Sequence, residues 1–170
     1  MIGISRPIVK HSFLVQSAEE IPAIVKKAFH IASSGRPGPV VIDVPKDMTD
    51  PKVKFDYKFP KDLYLRSYPI LGEADPSQVS EAVKMLKAAK KPVIYAGGGV
   101  IQSDASEELV KLSKMAGAPV TNTLMGLGAF PATDNQFIGM LGMHGTYEAN
   151  LAMNECDLMI NVGARFDDRV

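Results

Sequence analysis

Apolar positions along this chain follow two rhythms, and the switches between them mark its elements. Residues 8–15 (IVKHSFLV) are largely apolar and β-branched around Lys10 and His11, which predicts a short extended segment. From Ser17 the rhythm becomes helical, with Ile21, Ile24, Val25, Ala28, Phe29, Ile31 and Ala32 recurring at three- and four-residue steps. Ser17 and Glu20 match a capping box, Pro22 removes one backbone bond near the start, and Gly35 stops the helix. The turn Gly35-Arg36-Pro37-Gly38-Pro39 leads into Val40-Val41-Ile42-Asp43-Val44. That run is apolar enough to predict a strand buried on both faces, as in a parallel sheet.

Residues 51–71 follow neither rhythm. Their prolines, lysines and tyrosines predict a linker, long for a loop inside one domain and reasonable between two. Regular patterning resumes at Asp75-Pro76, a cap followed by proline at the first helical position. Val79, Ala82, Val83 and Leu86 form the apolar face of that helix. Val93-Ile94-Tyr95-Ala96 then predicts a buried strand, Gly97-Gly98-Gly99 its end, and Ser103 or Asp104 the cap of a helix with Leu109, Leu112 and Ala116 inward. Gly117 ends that helix and Pro119-Val120-Thr121 starts another strand, completing a βαβ unit whose crossover should be right-handed. Cys156 to Val162 predicts a further strand, mostly apolar. The whole is an α/β pattern.

Composition narrows the function classes. Nineteen basic residues balance nineteen acidic ones, so no field favours nucleic acid or an anionic membrane as partner. No apolar run reaches the length of a membrane span. The single cysteine, Cys156, forms no internal disulfide, suits a reducing compartment, and reads as an inert buried thiol. Three histidines at no ligand-like spacing argue against a structural zinc site. His11 reads as structural. Met1 opens without a leader and Val170 stops within a charged loop, so both ends are expected to be cuts from a longer protein.

Candidate chemistry lies in loops after strands. Gly97-Gly98-Gly99, the stretch Thr123 to Pro131, and the loop at Gly163 each follow an expected strand, and a further loop holding Gly142, Met143, His144 and Gly145 opens a short helical segment. Glycines there let a ligand approach the backbone, and carboxyl ends of parallel strands share one edge. The last strand ends at Gly163 and is followed by Arg165, Asp167, Asp168 and Arg169. Alternating guanidinium and carboxylate groups can hold an anion in fixed geometry, and equally suit a solvated turn. The glycines match neither the dinucleotide fingerprint nor a P-loop.

The segments HGTYEAN, VGARFDDRV, LMGLGAFPA, YAGGGV, SGRPGPVVIDVPKD and GISRPIVKHSFLV together resemble the catalytic (large) subunit of the acetolactate synthase (acetohydroxyacid synthase) family. The resemblance implies a fold of α/β class. A doubly wound, Rossmann-like parallel sheet would form the FAD-binding central domain, preceded by the end of a thiamine-diphosphate-enzyme pyrimidine domain. Residues 1–50 would be that end, 51–71 a linker, and 72–170 the first part of the central domain. It implies thiamine-diphosphate-dependent decarboxylation of pyruvate and carboligation to a second 2-oxo acid, pyruvate or 2-oxobutyrate, for branched-chain amino acid biosynthesis. The flavin takes no net redox part.

By the same resemblance, Arg36, Gly97, Gly98, Thr123, Leu124, Met143, His144, Gly163, Arg165, Asp167 and Arg169 are expected FAD contacts. Arg169 is expected to recognise the acceptor's carboxylate, with Asp168 orienting it. Lys46, Met143 and His144 are expected along the channel to the thiazolium. Thiamine diphosphate and Mg²⁺ are implied for the complete enzyme, although the family's GDG metal motif does not occur in these residues and no metal ligand is expected here. A homo-oligomer of catalytic subunits, a regulatory small subunit and a cytoplasmic location are also implied. Two alternatives stay open: a non-catalytic flavin- or nucleotide-binding module, and a related thiamine-diphosphate 2-oxo acid decarboxylase or oxidase.

Overall fold

Short β-branched runs near residues 11 and 40 pair as parallel strands in the first of two units, Met1–Glu73 and Ala74–Val170. The computed structural model describes residues 1–52, 54–68 and 72–166. In the first unit, α1 (Ile2–Ser5) and a 3₁₀ turn (Arg6–Ile8) precede β1 (His11–Leu14). After it come α2 (Ile21–Ser33) and β2 (Val40–Asp43), and β1 pairs with β2 from His11 opposite Val40 to Leu14 opposite Asp43. The helical rhythm places Ile24, Ala28 and Ile31 on the buried side of α2, with Val15 and Ala18 buried beside it.

The start of α2 departs from the capping-box expectation. Ser17 makes no side-chain cap, residues Ala18–Glu20 form a 3₁₀ turn, and Glu20 instead accepts a 3.4 Å bond from the Gln16 amide. At the other end Gly35 takes the left-handed conformation (φ +52°). The Lys10 ammonium donates to the carbonyl oxygens of Ile31 (2.6 Å) and Ser34 (2.5 Å), placing a cation at the negative end of the helix. The expectation that Val40–Val44 is buried on both faces fails: all four residues of β2 are half-buried and Val44 is exposed. The two-stranded sheet leaves one edge of β2 unpaired, and α2 packs against the sheet without burying β2 fully.

The described residues of 51–71 carry no helix or strand and group with the first unit. They are held against α2 by its polar side chains. Lys26 donates to the carbonyls of Pro60 (2.6 Å) and Lys61 (2.7 Å) with its ammonium 5.3 Å from the Phe59 ring centroid, and His30 Nε2 bonds the Tyr68 carbonyl oxygen at 3.0 Å. Lys26 and His30 stand one turn apart on one face, so the segment is strapped along the helix.

The second unit begins with α3 (Pro76–Ala88), capped by Asp75, whose carboxylate accepts from the Ser77 amide (2.8 Å) and hydroxyl (2.7 Å). Its expected apolar face is not buried: Val79 and Val83 are exposed and Leu86 is half-buried. Then come β3 (Pro92–Ala96), α4 (Gly98–Gln102), α5 (Ser106–Ala116), β4 (Val120–Asn122), β5 (Phe137–Met140), α6 (Tyr147–Glu155) and β6 (Leu158–Val162). The triple glycine thus opens α4 directly. Asp104, with φ +54°, separates α4 from α5, Ala105 occupies the cap position of α5, and the Ser103 hydroxyl turns back to the Gly99 carbonyl.

The four strands are parallel, in the order β5-β4-β3-β6. Alternate residues of each strand serve opposite faces. Ile94, Ala96 and Val120 pack with Val100, Leu109 of α5, Ala118 and Phe130. Tyr95 points the other way and packs with Leu141 and Ala149 of α6. Helices therefore cover both faces, which is the doubly wound arrangement. At the amino-terminal edge the Asp157 carboxylate accepts from the Lys90 (2.6 Å) and Lys91 (2.8 Å) amides and ties the entry of β6 to that of β3. These bonds to the charged form hold its pKa below the ordinary value. Cys156 sits half-buried at the carboxyl end of α6, just outside the strand in which it was expected. Among the described residues no helix is long and apolar enough to cross a membrane.

Candidate functional site

Four parallel strands bring four carboxyl ends to one edge, and the strand order decides what meets there. From β3 the chain steps to β4 and then β5, and β6 returns to the opposite side of β3. The reversal lies between β3 and β6, where open α/β sheets commonly bind ligands. The loops at that point are Gly97-Gly98-Gly99 and Gly163-Ala164-Arg165. The Gly97 amide donates to the Val162 carbonyl and the Gly99 amide to the Gly163 carbonyl, each at 2.9 Å.

These glycines were expected to leave room for a ligand. In the structure their missing side chains are filled by neighbouring backbone. A Cβ on Gly97 would stand 2.7 Å from Ala164 Cβ, and closer still to Ala164 Cα and the Gly163 oxygen. One on Gly99 would stand 2.7 Å from Gly163 Cα. On Gly126 it would meet Gly97 Cα at 3.0 Å, and on Gly98 it would meet the Met125 oxygen at 3.0 Å and Cβ at 3.2 Å. The loops after β3, β4 and β6 thus pack backbone to backbone, which only glycine allows. Gly163 adds a left-handed conformation, φ +63°.

The loop after β4 is closed by its own polar groups. The Thr123 amide donates to the Ala96 carbonyl (2.9 Å), the Thr123 hydroxyl accepts from the Gly126 amide (3.0 Å), and buried Asn122 donates through Nδ2 to the Gly126 carbonyl (2.8 Å). Its tip leaves Leu124 and Met125 exposed. After β5, Gly142 is left-handed (φ +103°), and Met143 and His144 stand exposed. Thr146 then starts α6, its hydroxyl accepting from the Ala149 amide (3.2 Å) and donating to the Ile138 carbonyl (2.7 Å). Beyond β6, Arg165 and Phe166 are exposed, with the Phe166 ring 5.8 Å from that of Tyr95.

Of the expected contacts, Gly97, Gly98, Thr123, Leu124, Gly163 and Arg165 lie on adjoining loops of this rim. Met143 and His144 lie on the same edge, on the loop after the outermost strand β5. Arg36 and Lys46 belong to the first unit. Arg36 is exposed in the turn between α2 and β2, and Lys46 starts a 3₁₀ turn (Lys46–Thr49) beside a shallow recess lined by Asp47, Thr49, Asp50 and Pro51. Asp167, Asp168 and Arg169 lie outside the described residues. Among the described residues no cluster of histidine, cysteine or carboxylate side chains could hold a metal ion. The loop glycines Gly126 and Gly145 likewise meet backbone: a Cβ on Gly145 would stand 2.7 Å from Leu141 Cα.

The chemistry of the rim is mixed. It combines closely packed backbone, exposed apolar side chains (Leu124, Met125, Met143, Phe166), one imidazole and one guanidinium. Such a surface suits a ligand with a planar apolar part and an anionic part.

Residues 79–170 match the family model described as thiamine pyrophosphate enzyme, central domain. Over 169 residues, 99% of the chain, it is 55% identical to the acetolactate synthase large subunit of Haemophilus influenzae. Against acetolactate synthase isozyme 3 large subunit of Escherichia coli K12 the identity is 53% over the same share. An acetolactate synthase of Mycobacterium bovis is 48% identical over 168 residues. The chain spans 30%, 29% and 27% of the length of these three relatives.

Proposed function

This chain belongs to the thiamine pyrophosphate enzymes, whose central-domain model matches its residues 79–170, and from that premise we propose that it is a stretch of the catalytic subunit of an acetolactate synthase. The observation that carries the reading is the identity of 48–55% across 99% of the chain with proteins of that name. The whole protein would decarboxylate pyruvate and join the remaining two carbons to a second 2-oxo acid, pyruvate or 2-oxobutyrate, on the way to branched-chain amino acids. Thiamine diphosphate, held with Mg²⁺, supplies the electron sink for decarboxylation when bound. In this proposal residues 1–50 end the pyrimidine domain, 51–71 link, and 72–170 begin the central domain. The catalytic subunit forms homo-oligomers, pairs with a regulatory small subunit and works in the cytoplasm.

The same reading makes the rim the FAD site. Gly97, Gly98 and Gly163 keep the loop backbone low, and Thr123, Leu124, Met143 and His144 border the ring system. Arg165 and Arg169 hold the charged part, and Asp167 and, in the first unit, Arg36 are further cofactor contacts implied by the resemblance. The fit rests on donor chemistry: a guanidinium pairs with a diphosphate in two parallel bonds, and Leu124 and Met143 are exposed, 69% and 75%, without a covering group in the unit. Met143 and His144 line the approach to the reacting centre, and the resemblance implies the same role for Lys46 of the first unit. Arg169 grips the acceptor's carboxylate and Asp168 steadies the guanidinium. Arg169→Lys keeps the charge and loses the two-pronged grip. One charge-assisted bond is worth roughly 1.5–3 kcal/mol, so acceptor specificity should fall about 10- to 150-fold while decarboxylation suffers less.

The test is direct. The whole protein, supplied with thiamine diphosphate, Mg²⁺, FAD and pyruvate, is expected to form acetolactate and to retain stoichiometric flavin through gel filtration. Pyruvate turnover without carboligation would overturn the synthase assignment. An unchanged ratio of carboligation to decarboxylation in a fully flavinylated Arg169→Lys variant would remove Arg169 from acceptor recognition.

A further inference from the structure

Past the end of a strand, backbone groups lose their ladder partners, and something else must hold them. Two rim loops are held here in the same way. Asn150, in the first turn of α6, accepts from the Gly142 amide through Oδ1 (2.9 Å) and donates through Nδ2 to the Gly142 carbonyl (3.1 Å) and the Thr146 carbonyl (3.1 Å). Asn161, on β6, accepts from the Ala164 amide (3.2 Å) and donates to the Ala164 carbonyl (3.0 Å). Each carboxamide engages both the amide and the carbonyl of one loop residue. A carboxamide carries a donor and an acceptor at one end, the complement a strand neighbour would offer. A carboxylate accepts only, and an alanine does neither.

The two pinned residues bear directly on the rim. Gly142 immediately precedes Met143 and His144. Ala164 precedes Arg165 and forms the wall against which Gly97 packs. Both asparagines are exposed, so water replaces their bonds when they are removed and no buried group is orphaned. The consequence of removal is then a larger set of loop conformations rather than a weaker core.

We propose that Asn150 and Asn161 are positioning residues, which lock the loops after β5 and β6 so that Met143, His144 and Arg165 are presented in one ligand-ready arrangement. The ligand is the flavin of the preceding section, and to that extent this inference rests on that reading. When only a fraction of molecules holds the competent loop, apparent affinity falls by that fraction. Loss of a two-bond clamp at ordinary hydrogen-bond strength should weaken FAD binding about 5- to 30-fold.

Three measurements on the whole protein test this: amide exchange at Gly142 and Ala164 without flavin, FAD affinity with the visible circular dichroism of the bound flavin, and the thermal midpoint. Asn150→Ala should speed exchange at Gly142 and leave Ala164 protected, and Asn161→Ala should do the reverse. Both should weaken FAD binding and alter the flavin's dichroism with a nearly unchanged midpoint. Asn161→Asp, which restores an acceptor, should restore slow exchange at Ala164. Unchanged exchange, unchanged flavin affinity in both alanine variants, or a midpoint loss that accounts for the affinity loss would each overturn the proposal. If the unmutated protein binds no FAD, the flavin reading fails by itself. The exchange rates then decide alone whether the asparagines lock the loops: site-specific deprotection upholds it and unchanged rates overturn it.

Discussion

Replacing Gly99 by alanine sets two effects of opposite sign against each other. Gly99 lies inside α4, where alanine is intrinsically better than glycine by about 1 kcal/mol. The added Cβ, however, would stand 2.7 Å from Gly163 Cα and 2.9 Å from the Gly163 oxygen. Carbon atoms prefer separations of about 3.5–4.0 Å, so the loops after β3 and β6 must part by close to an ångström. Both contacts are main chain, with no flexible side chain to swing aside. The parting stretches the Gly99–Gly163 and Gly97–Val162 hydrogen bonds, each 2.9 Å, beyond useful length. Overpacking costs about 1–3 kcal/mol and each bond about 1 kcal/mol, which outweighs the helical gain and leaves a net loss of roughly 2–4 kcal/mol. For a unit of this size that lowers the thermal midpoint by on the order of 10–20 °C. Far-UV circular dichroism on heating measures it. A Gly99→Ala protein as stable as the parent, or more so, would refute the backbone-to-backbone packing of the rim.

Gly117→Ala is the counterpart: its Cβ meets open space, but φ is +62°, so a loss of about 1–2 kcal/mol is expected from conformation alone, read as a smaller midpoint shift. Gly98→Val should lower flavin retention through contact with Met125, and therefore should also disturb the loop after β4, visible as faster exchange of the Gly126 amide. Asp157 has a depressed folded-state pKa, so its contribution is complete above its unfolded value of about 4 and vanishes as pH falls through the folded value. Asp157→Asn should therefore flatten the acid limb of the unfolding midpoint against pH, whereas an identical acid limb would show that the Lys90 and Lys91 amides gain nothing from the charge. Lys26→Met removes both carbonyl contacts of the strap and should expose the chain near Pro60 and Lys61 to proteases well before α2 unfolds. Equal cleavage rates would deny the strap.

Local chemistry made the elements of this protein legible from its sequence. Asp75-Pro76 had to start a helix, because the carboxylate meets free amides and proline lacks the donor that would go unused. Alternation and apolar runs located β3, β4 and β6, and the spacing of Ile24, Ala28 and Ile31 located the buried side of α2. Loops after parallel strands pointed to one edge as the place for chemistry. None of those signals depends on distant partners. The order β5-β4-β3-β6 does, since any of the parallel strands could have been neighbours by composition, and the order sets where the reversal falls. Burial also depends on the surrounding layers, which is why the apolar β2 is only half-buried and the apolar positions Val79 and Val83 of α3 are exposed. The rim glycines show the same division. Their positions were legible, but whether a missing Cβ makes room for a ligand or for another loop depends on what folding brings alongside. At Gly97, Gly99 and Gly126 the tertiary structure brings backbone.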